Sequence, residues 1–143
     1  PKFLLRSLLD EPLIIHGSGD QTRDFTYVSD TARGIILAGI SDLAIGMTIN
    51  IGYGKEVSIN DLAVYIKKII NKSKSEIIWS DPRPGDVNRL LSDSSLAKSL
   101  FGYEPKISLI EGIKLLLNWY GTDKIKLKNL LKDEIEKNWI EPK

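Results

Sequence analysis

The run Asp81-Pro82-Arg83-Pro84-Gly85 sets the first limit on the fold. Two prolines without N–H groups and a glycine forbid a continuing β-ladder, so a strand can reach Asp81 but must end there. The same punctuation recurs upstream. Pro12 stops a helix over residues 2–10, in which Leu4, Leu5, Leu8 and Leu9 share one side. Gly17-Ser18-Gly19-Asp20 then forms a turn between two strands, residues 13–16 and 23–28, and alternation puts Arg23, Phe25 and Tyr27 on one face. A chain of 143 residues cut this often reads as short helices and strands around one core, a compact α/β unit with an appended C-terminal helix.

The remaining elements follow from periodicity and caps. A helix starts near residue 29, with Ser29 or Asp30 as N-cap and Ala32, Ile35, Ile36 and Gly39 at helical spacing. Residues 47–51 form a short apolar strand ending at Gly52. Ser58-Ile59-Asn60-Asp61 reads as a capping box with Asp in place of Glu, opening a helix whose stripe is Ile59, Leu62, Ala63, Ile66 and Ile70. Residues 76–79 form a strand that runs into the proline-rich loop. A helix over residues 92–100 closes at Gly102, and Ser108-Leu109-Ile110-Glu111 opens another that buries Leu109, Ile110, Ile113, Leu116 and Leu117. After Gly121 the chain is a Lys-rich amphipathic tail, with Leu127, Leu130, Leu131 and Ile135 on one face and Trp139 extending it.

Charge and composition narrow the function. Twenty basic residues against nineteen acidic ones give no general field for nucleic acid, and the lysines after Lys124 alternate with Asp133, Glu134 and Glu136 as on a solvated helix face. The absence of cysteine removes thiolate nucleophiles, disulfides and thiolate metal sites; with His16 as the one histidine a zinc site is not expected, and no clustered motif supports a carboxylate-only metal site. No apolar run approaches the ~18 residues that span a bilayer, and Arg6 and Asp10 interrupt the opening Phe3-Leu4-Leu5 too soon for a signal peptide. The expected location is the cytoplasm, with neither nucleic acid nor membrane as partner.

Two arginines stand in stiff settings. Arg23 opens a strand after a glycine turn, and Arg83 lies between prolines. A planar guanidinium ordered in advance suits paired phosphate oxygens, as in a diphosphate; the other use open to each is an internal ion pair, with Asp24 or Asp86 as partner. His16 could lay its ring beside a ligand's base or be an ordinary strand-end histidine. Three patterns fail on inspection. Gly52-Tyr53-Gly54-Lys55 lacks the first glycine and the Ser/Thr of a phosphate loop. Gly17-x-Gly19 leads into a strand and lacks the third glycine of a dinucleotide fingerprint. Tyr120 and Lys124 have the spacing of a Tyr-x-x-x-Lys proton-transfer pair, but Gly121 ends the helix that would align them.

The order and spacing of Gly17-Ser18-Gly19-Asp20-Gln21-Thr22-Arg23-Asp24-Phe25-Thr26-Tyr27-Val28-Ser29-Asp30, Asn50-Ile51-Gly52, Arg83-Pro84-Gly85-Asp86, Asp93-Ser94-Ser95-Leu96-Ala97 and Phe101-Gly102-Tyr103-Glu104-Pro105 carry a resemblance. From Pro1 to about Tyr120 the chain is similar to the C-terminal, substrate-binding half of NAD-dependent epimerases/dehydratases of the extended short-chain dehydrogenase/reductase superfamily, such as UDP-glucose 4-epimerases. The resemblance implies a small mixed α/β nucleotide-sugar-binding lobe over residues 1–121, without the Rossmann half, and a helical tail over residues 122–143. It implies that Arg23 and Arg83 grip a nucleotide-sugar diphosphate, that Asp86 meets ribose hydroxyls, that His16 lies near the base and that Leu90 lines the site. NAD and the catalytic groups would belong to an absent N-terminal half of a homodimeric parent, so the chain reads as a fragment without catalytic residues of its own. Arg-Pro-Gly-Asp, where sugar 4,6-dehydratases usually carry Arg-Pro-Gly-His-Asp, tilts the expectation toward a UDP-hexose 4-epimerase. Alternatives are a dehydratase, decarboxylase or reductase, or a non-catalytic nucleotide-binding module.

Overall fold

A computed structural model describes residues 1–71 and 73–132 of the chain. The described residues form a small mixed α/β structure with six α-helices and two small sheets. In chain order these are α1 (Lys2–Leu8), β1 (Leu13–His16), β2 (Thr22–Asp24), α2 (Val28–Gly39), β3 (Glu56–Ser58) and α3 (Ile59–Ile69). After them come β4 (Ile77–Ser80), β5 (Arg89–Leu90), α4 (Ser95–Phe101), α5 (Leu109–Tyr120) and α6 (Lys124–Lys132). The chain divides into two compact units. Pro1–Gln21, Ser58–Asn88 and the described residues from Ile113 onward make the first; Thr22–Val57 and Arg89–Gly112 make the second.

In the first unit β1 and β4 pair in parallel, Leu13 opposite Ile77 and His16 opposite Ser80. Alternation buries Leu13 and Ile15, which form a core with Ala63 of α3; Phe3, Ile59 and Ile77 pack against it. Each of these two buried side chains contributes about 1.5–3 kcal/mol relative to exposure. The expected capping box closes with its aspartate: Ser58 Oγ accepts from the Asp61 amide at 3.0 Å and donates to the Asp61 carboxylate at 2.7 Å. The next two free amides of α3, those of Ile59 and Asn60, donate to the Gln21 and Gly19 carbonyls, so the helix start is stitched to the glycine turn. Helix α6 packs on α1 with Leu127 buried and Leu130 and Leu131 half-buried. Ile135 and Trp139 of the expected apolar face, and the acidic Asp133, Glu134 and Glu136, lie outside the described residues.

The second unit holds a sheet of order β3-β2-β5, in which β2 and β5 run parallel. Here the structure departs from the periodicity. Strand β2 stops at Asp24 rather than continuing to Val28, because the Asp24 carboxylate turns to three backbone amides, those of Tyr53, Gly54 and Ser92. Helix α2 begins at Val28 with Tyr27 at the N-cap and no side-chain cap. Asp30 instead is buried, accepting from the Lys106 and Ile107 amides, each at 2.8 Å, and from Arg33 Nη2 at 2.9 Å. Helix α4 starts at Ser95 rather than Ser92, since the Ser92 amide is bound by Asp24 and Ser94 Oγ bridges the amide and carbonyl of Gly52.

Residues 47–51 enter no sheet among the described residues, so the expected strand is absent. A strand exists only where a ladder neighbour supplies its hydrogen bonds. The expected stripe of α2 has helical spacing but lies open, with Ile35 and Ile36 63% and 62% exposed and Ile40 77% exposed just beyond it. Val28, Leu43, Ile45 and Met47 are exposed as well. The buried side of α2 is set by Gly34, where a Cβ would come within 2.7 Å of Ile51 and 2.9 Å of the Tyr103 ring.

Candidate functional site

Both strands of the first unit end together. Beyond His16 lies the Gly17–Asp20 turn, beyond Ser80 lies the Pro-Arg-Pro-Gly loop, and the Gly17 amide donates to the Ser80 carbonyl at 3.0 Å. The carboxyl ends of parallel strands leave a crevice between diverging loops, the usual place for a ligand in α/β proteins. A pocket of about 400 Å³ opens there, lined by His16, Gly17, Ser18, Asp20, Gln21, Pro82, Arg83, Asp86, Val87 and Asn88. That size falls within the roughly 300–1,000 Å³ of small-molecule sites.

Arg83 and Asp86 occupy the two ends of one tight turn, with the Asp86 amide donating to the Arg83 carbonyl at 3.2 Å. Pro84 sits at the second position and Gly85, at φ +70°, at the third, which is the residue pattern of a type II turn. The turn thus fixes the backbone from which a cation and a carboxylate project, before any ligand arrives. His16 Nδ1 lies 3.2 Å from the Asp81 carbonyl, within hydrogen-bond distance of it. Gln21 ties the two sides together: its amide nitrogen donates to the His16 carbonyl at 2.8 Å and reaches the Asp86 carboxylate at 3.5 Å.

Of the five residues expected from the sequence, the structure brings His16, Arg83 and Asp86 to this pocket. Arg23 and Leu90 lie in the second unit, opposite each other in the β2–β5 register, and Arg23 Nη1 donates to the Thr22 carbonyl at 2.7 Å. Asp24, weighed as an internal partner for Arg23, gives its oxygens to the three backbone amides named above. Sequence reasoning missed Gln21 and Ser18 as pocket residues. Gln21 stood inside the quoted motif, but its reach to a carboxylate 65 positions away leaves no periodic or turn signal.

Residues 2–116 match the family model described as GDP-mannose 4,6 dehydratase. A putative UDP-glucose 4-epimerase of Methanocaldococcus jannaschii is 43% identical over 117 residues, covering 82% of this chain and 37% of the relative. The chain belongs to the NAD-dependent epimerase/dehydratase family. An epimerase of Methanothermobacter thermautotrophicus superposes with a TM-score of 0.82 at 31% identity, over 94% of this chain and 39% of that one. A UDP-glucuronic acid 4-epimerase of Bacillus cereus, solved with UDP-glucuronic acid and NAD, gives a TM-score of 0.75 at 34% identity, over 90% of this chain and 39% of that one. Other members of the family similar to this chain are named UDP-glucuronic acid decarboxylase. The chain therefore spans little more than a third of the length of the relatives it matches.

NAD is expected for this epimerase/dehydratase family, and the described residues do not fit its pyrophosphate. A dinucleotide cradle needs a glycine turn leading from a strand into a helix N-terminus, whereas the Gly17–Gly19 turn leads from β1 into β2.

Proposed function

We propose that this chain is the nucleotide-sugar-holding part of an NAD-dependent sugar 4-epimerase, with a UDP-hexose as substrate. The observation that carries the reading is the pocket at the ends of β1 and β4, where one turn presents Arg83 and Asp86 beside His16. The guanidinium takes the diphosphate in paired charge-assisted bonds, and the Asp86 carboxylate accepts from ribose hydroxyls. His16 borders the base. Arg23, from β2, adds a second grip on the diphosphate and Leu90 lines the ligand; both roles rest on the motif resemblance. Oxidation and return of hydride at the sugar, with NAD and the acid-base groups they require, are assigned to the part of the family's length that this chain does not span.

A second reading, a decarboxylase or dehydratase acting on the same class of substrate, is favoured by the names of several relatives and of the family model. Both readings use the same nucleotide grip, so one titration tests what they share. The folded chain, checked by circular dichroism, is titrated calorimetrically with UDP, and with dTDP and NAD as comparators. UDP is expected to bind and NAD is not. Arg83→Ala should weaken UDP by about 1.5–3 kcal/mol, roughly 10- to 150-fold, as the loss of charge-assisted bonds requires. Equal UDP affinity in the wild type and the variant overturns the assignment of the pocket.

A further inference from the structure

We propose that Asn60, which lies outside the pocket lining, is the positioning residue that sets the pocket's glycine turn in its ligand-binding shape; this rests on the nucleotide reading of the pocket. Asn60 is the second residue of α3, and its side chain makes three hydrogen bonds. Nδ2 donates to the Ser18 carbonyl at 3.0 Å and to the Asp20 carboxylate at 3.3 Å, while Oδ1 accepts from the Trp79 indole at 3.4 Å. Its backbone amide donates to the Gly19 carbonyl at 3.0 Å. Asn60 therefore holds Ser18, Gly19 and Asp20 in succession, and two of these, Ser18 and Asp20, line the pocket.

The fit is close. Gly19 stands at φ +81°, and a Cβ there would lie 2.2 Å from Asn60 Oδ1, so the turn has shed its side chain where the amide lies against it. No other common side chain of this size satisfies the same three partners. Aspartate keeps the shape and the acceptor toward Trp79 but loses both donors, and sets a second carboxylate against Asp20. Alanine loses everything except the backbone bond. The clamp also constrains the far wall, because Gln21 follows the turn directly and reaches the His16 carbonyl and Asp86.

The test compares the wild type with Asn60→Ala and Asn60→Asp by two readouts. Amide exchange in the free chain is expected to quicken about tenfold in both variants at Gly17, Asp20 and Ile59, whose amides bond to the Ser80 carbonyl, Ser18 Oγ and the Gln21 carbonyl about the turn, with the Leu13 and Ile15 amides unchanged. UDP affinity is expected to fall about tenfold in both. For Asn60→Asp the gap to the wild type should narrow as pH falls through the carboxylate range, because a protonated carboxyl regains a donor toward Ser18. Asn60→Ala, followed over the same pH range, carries the background of Asp20, Asp61, Asp86 and His16 without the new carboxyl. For Asn60→Ala the gap should not narrow. Unchanged exchange at Gly17, Asp20 and Ile59 overturns the clamp whatever UDP does, and faster exchange with undiminished affinity overturns its role in binding. A wild-type chain that takes up no UDP overturns the nucleotide reading and the ligand half of this proposal, while the exchange result still decides the clamp.

Discussion

Asp30→Ala is expected to destabilise the chain by about 2–4 kcal/mol, the cost of leaving two part-buried amides and a half-buried guanidinium without their carboxylate. The carboxylate lies inside the second unit and ends the amides of Lys106 and Ile107 while pairing with Arg33, whose guanidinium also donates to the Glu104 carbonyl and sits 5.4 Å from the centre of the Tyr103 ring. Alanine leaves two amides and a cation without their shared acceptor. Urea unfolding of both proteins measures the difference, and a loss below about 1 kcal/mol would mean that water replaces the carboxylate readily. Burial by itself raises the Asp30 carboxyl, but the Ile107 amide, Arg33 and the Lys106 amide outweigh it and hold it below the ordinary aspartate value. A depressed folded value gives stability that is complete above the ordinary range and is lost as pH falls through the folded value. The advantage of wild type over variant should therefore hold at neutral pH and shrink below roughly pH 4.

Asp24→Ala is the second large effect, about 2–4 kcal/mol, because three amides from two separate segments lose one acceptor. Gly54 donates at 2.8 Å, Tyr53 at 3.2 Å and Ser92 at 3.3 Å. Water can reach the Gly54 amide, which keeps the figure below the sum of three full penalties. Asp24→Asn retains one acceptor oxygen and should fall between wild type and alanine. Because Asp24 ends β2 directly after Arg23, the same change should loosen the arginine's backbone, and on the role proposed for Arg23 the UDP affinity of Asp24→Asn would fall beyond any change in folded fraction. Affinity that tracks the folded fraction alone would limit Asp24 to a structural role.

How far the sequence could be read depended on whether the signal was local. The Ser58 capping box, the Leu13–His16 strand and the Pro-Arg-Pro-Gly break depend on residues within a few positions of one another, and each stands where the spacing put it. Strands β3 and β5 escaped notice, since two or three residues carry no period and are strands only because β2 lies between them. Position before an apolar helix offers Ser29 or Asp30 as an N-cap, yet the amides that Asp30 accepts from are 76 and 77 residues away. In the pocket, Arg83 was legible from the prolines on either side of it, whereas Asp86 was reached through the motif resemblance. Gln21 and Asn60 were not legible, because what they hold is backbone that only the folded chain brings near.

The open side of α2 bears on how mutational data from this chain should be read. Ile35, Ile36 and Ile40 contribute little to its folding, as most of their surface already meets water. A stability screen of the 143-residue chain would therefore score lysine at these positions as harmless, and as helpful to solubility if the apolar patch draws molecules together. A survey of natural variation that found the same positions held apolar would be recording a constraint that this chain's own folding does not impose. At these three isoleucines, thermal stability and evolutionary tolerance would measure different things.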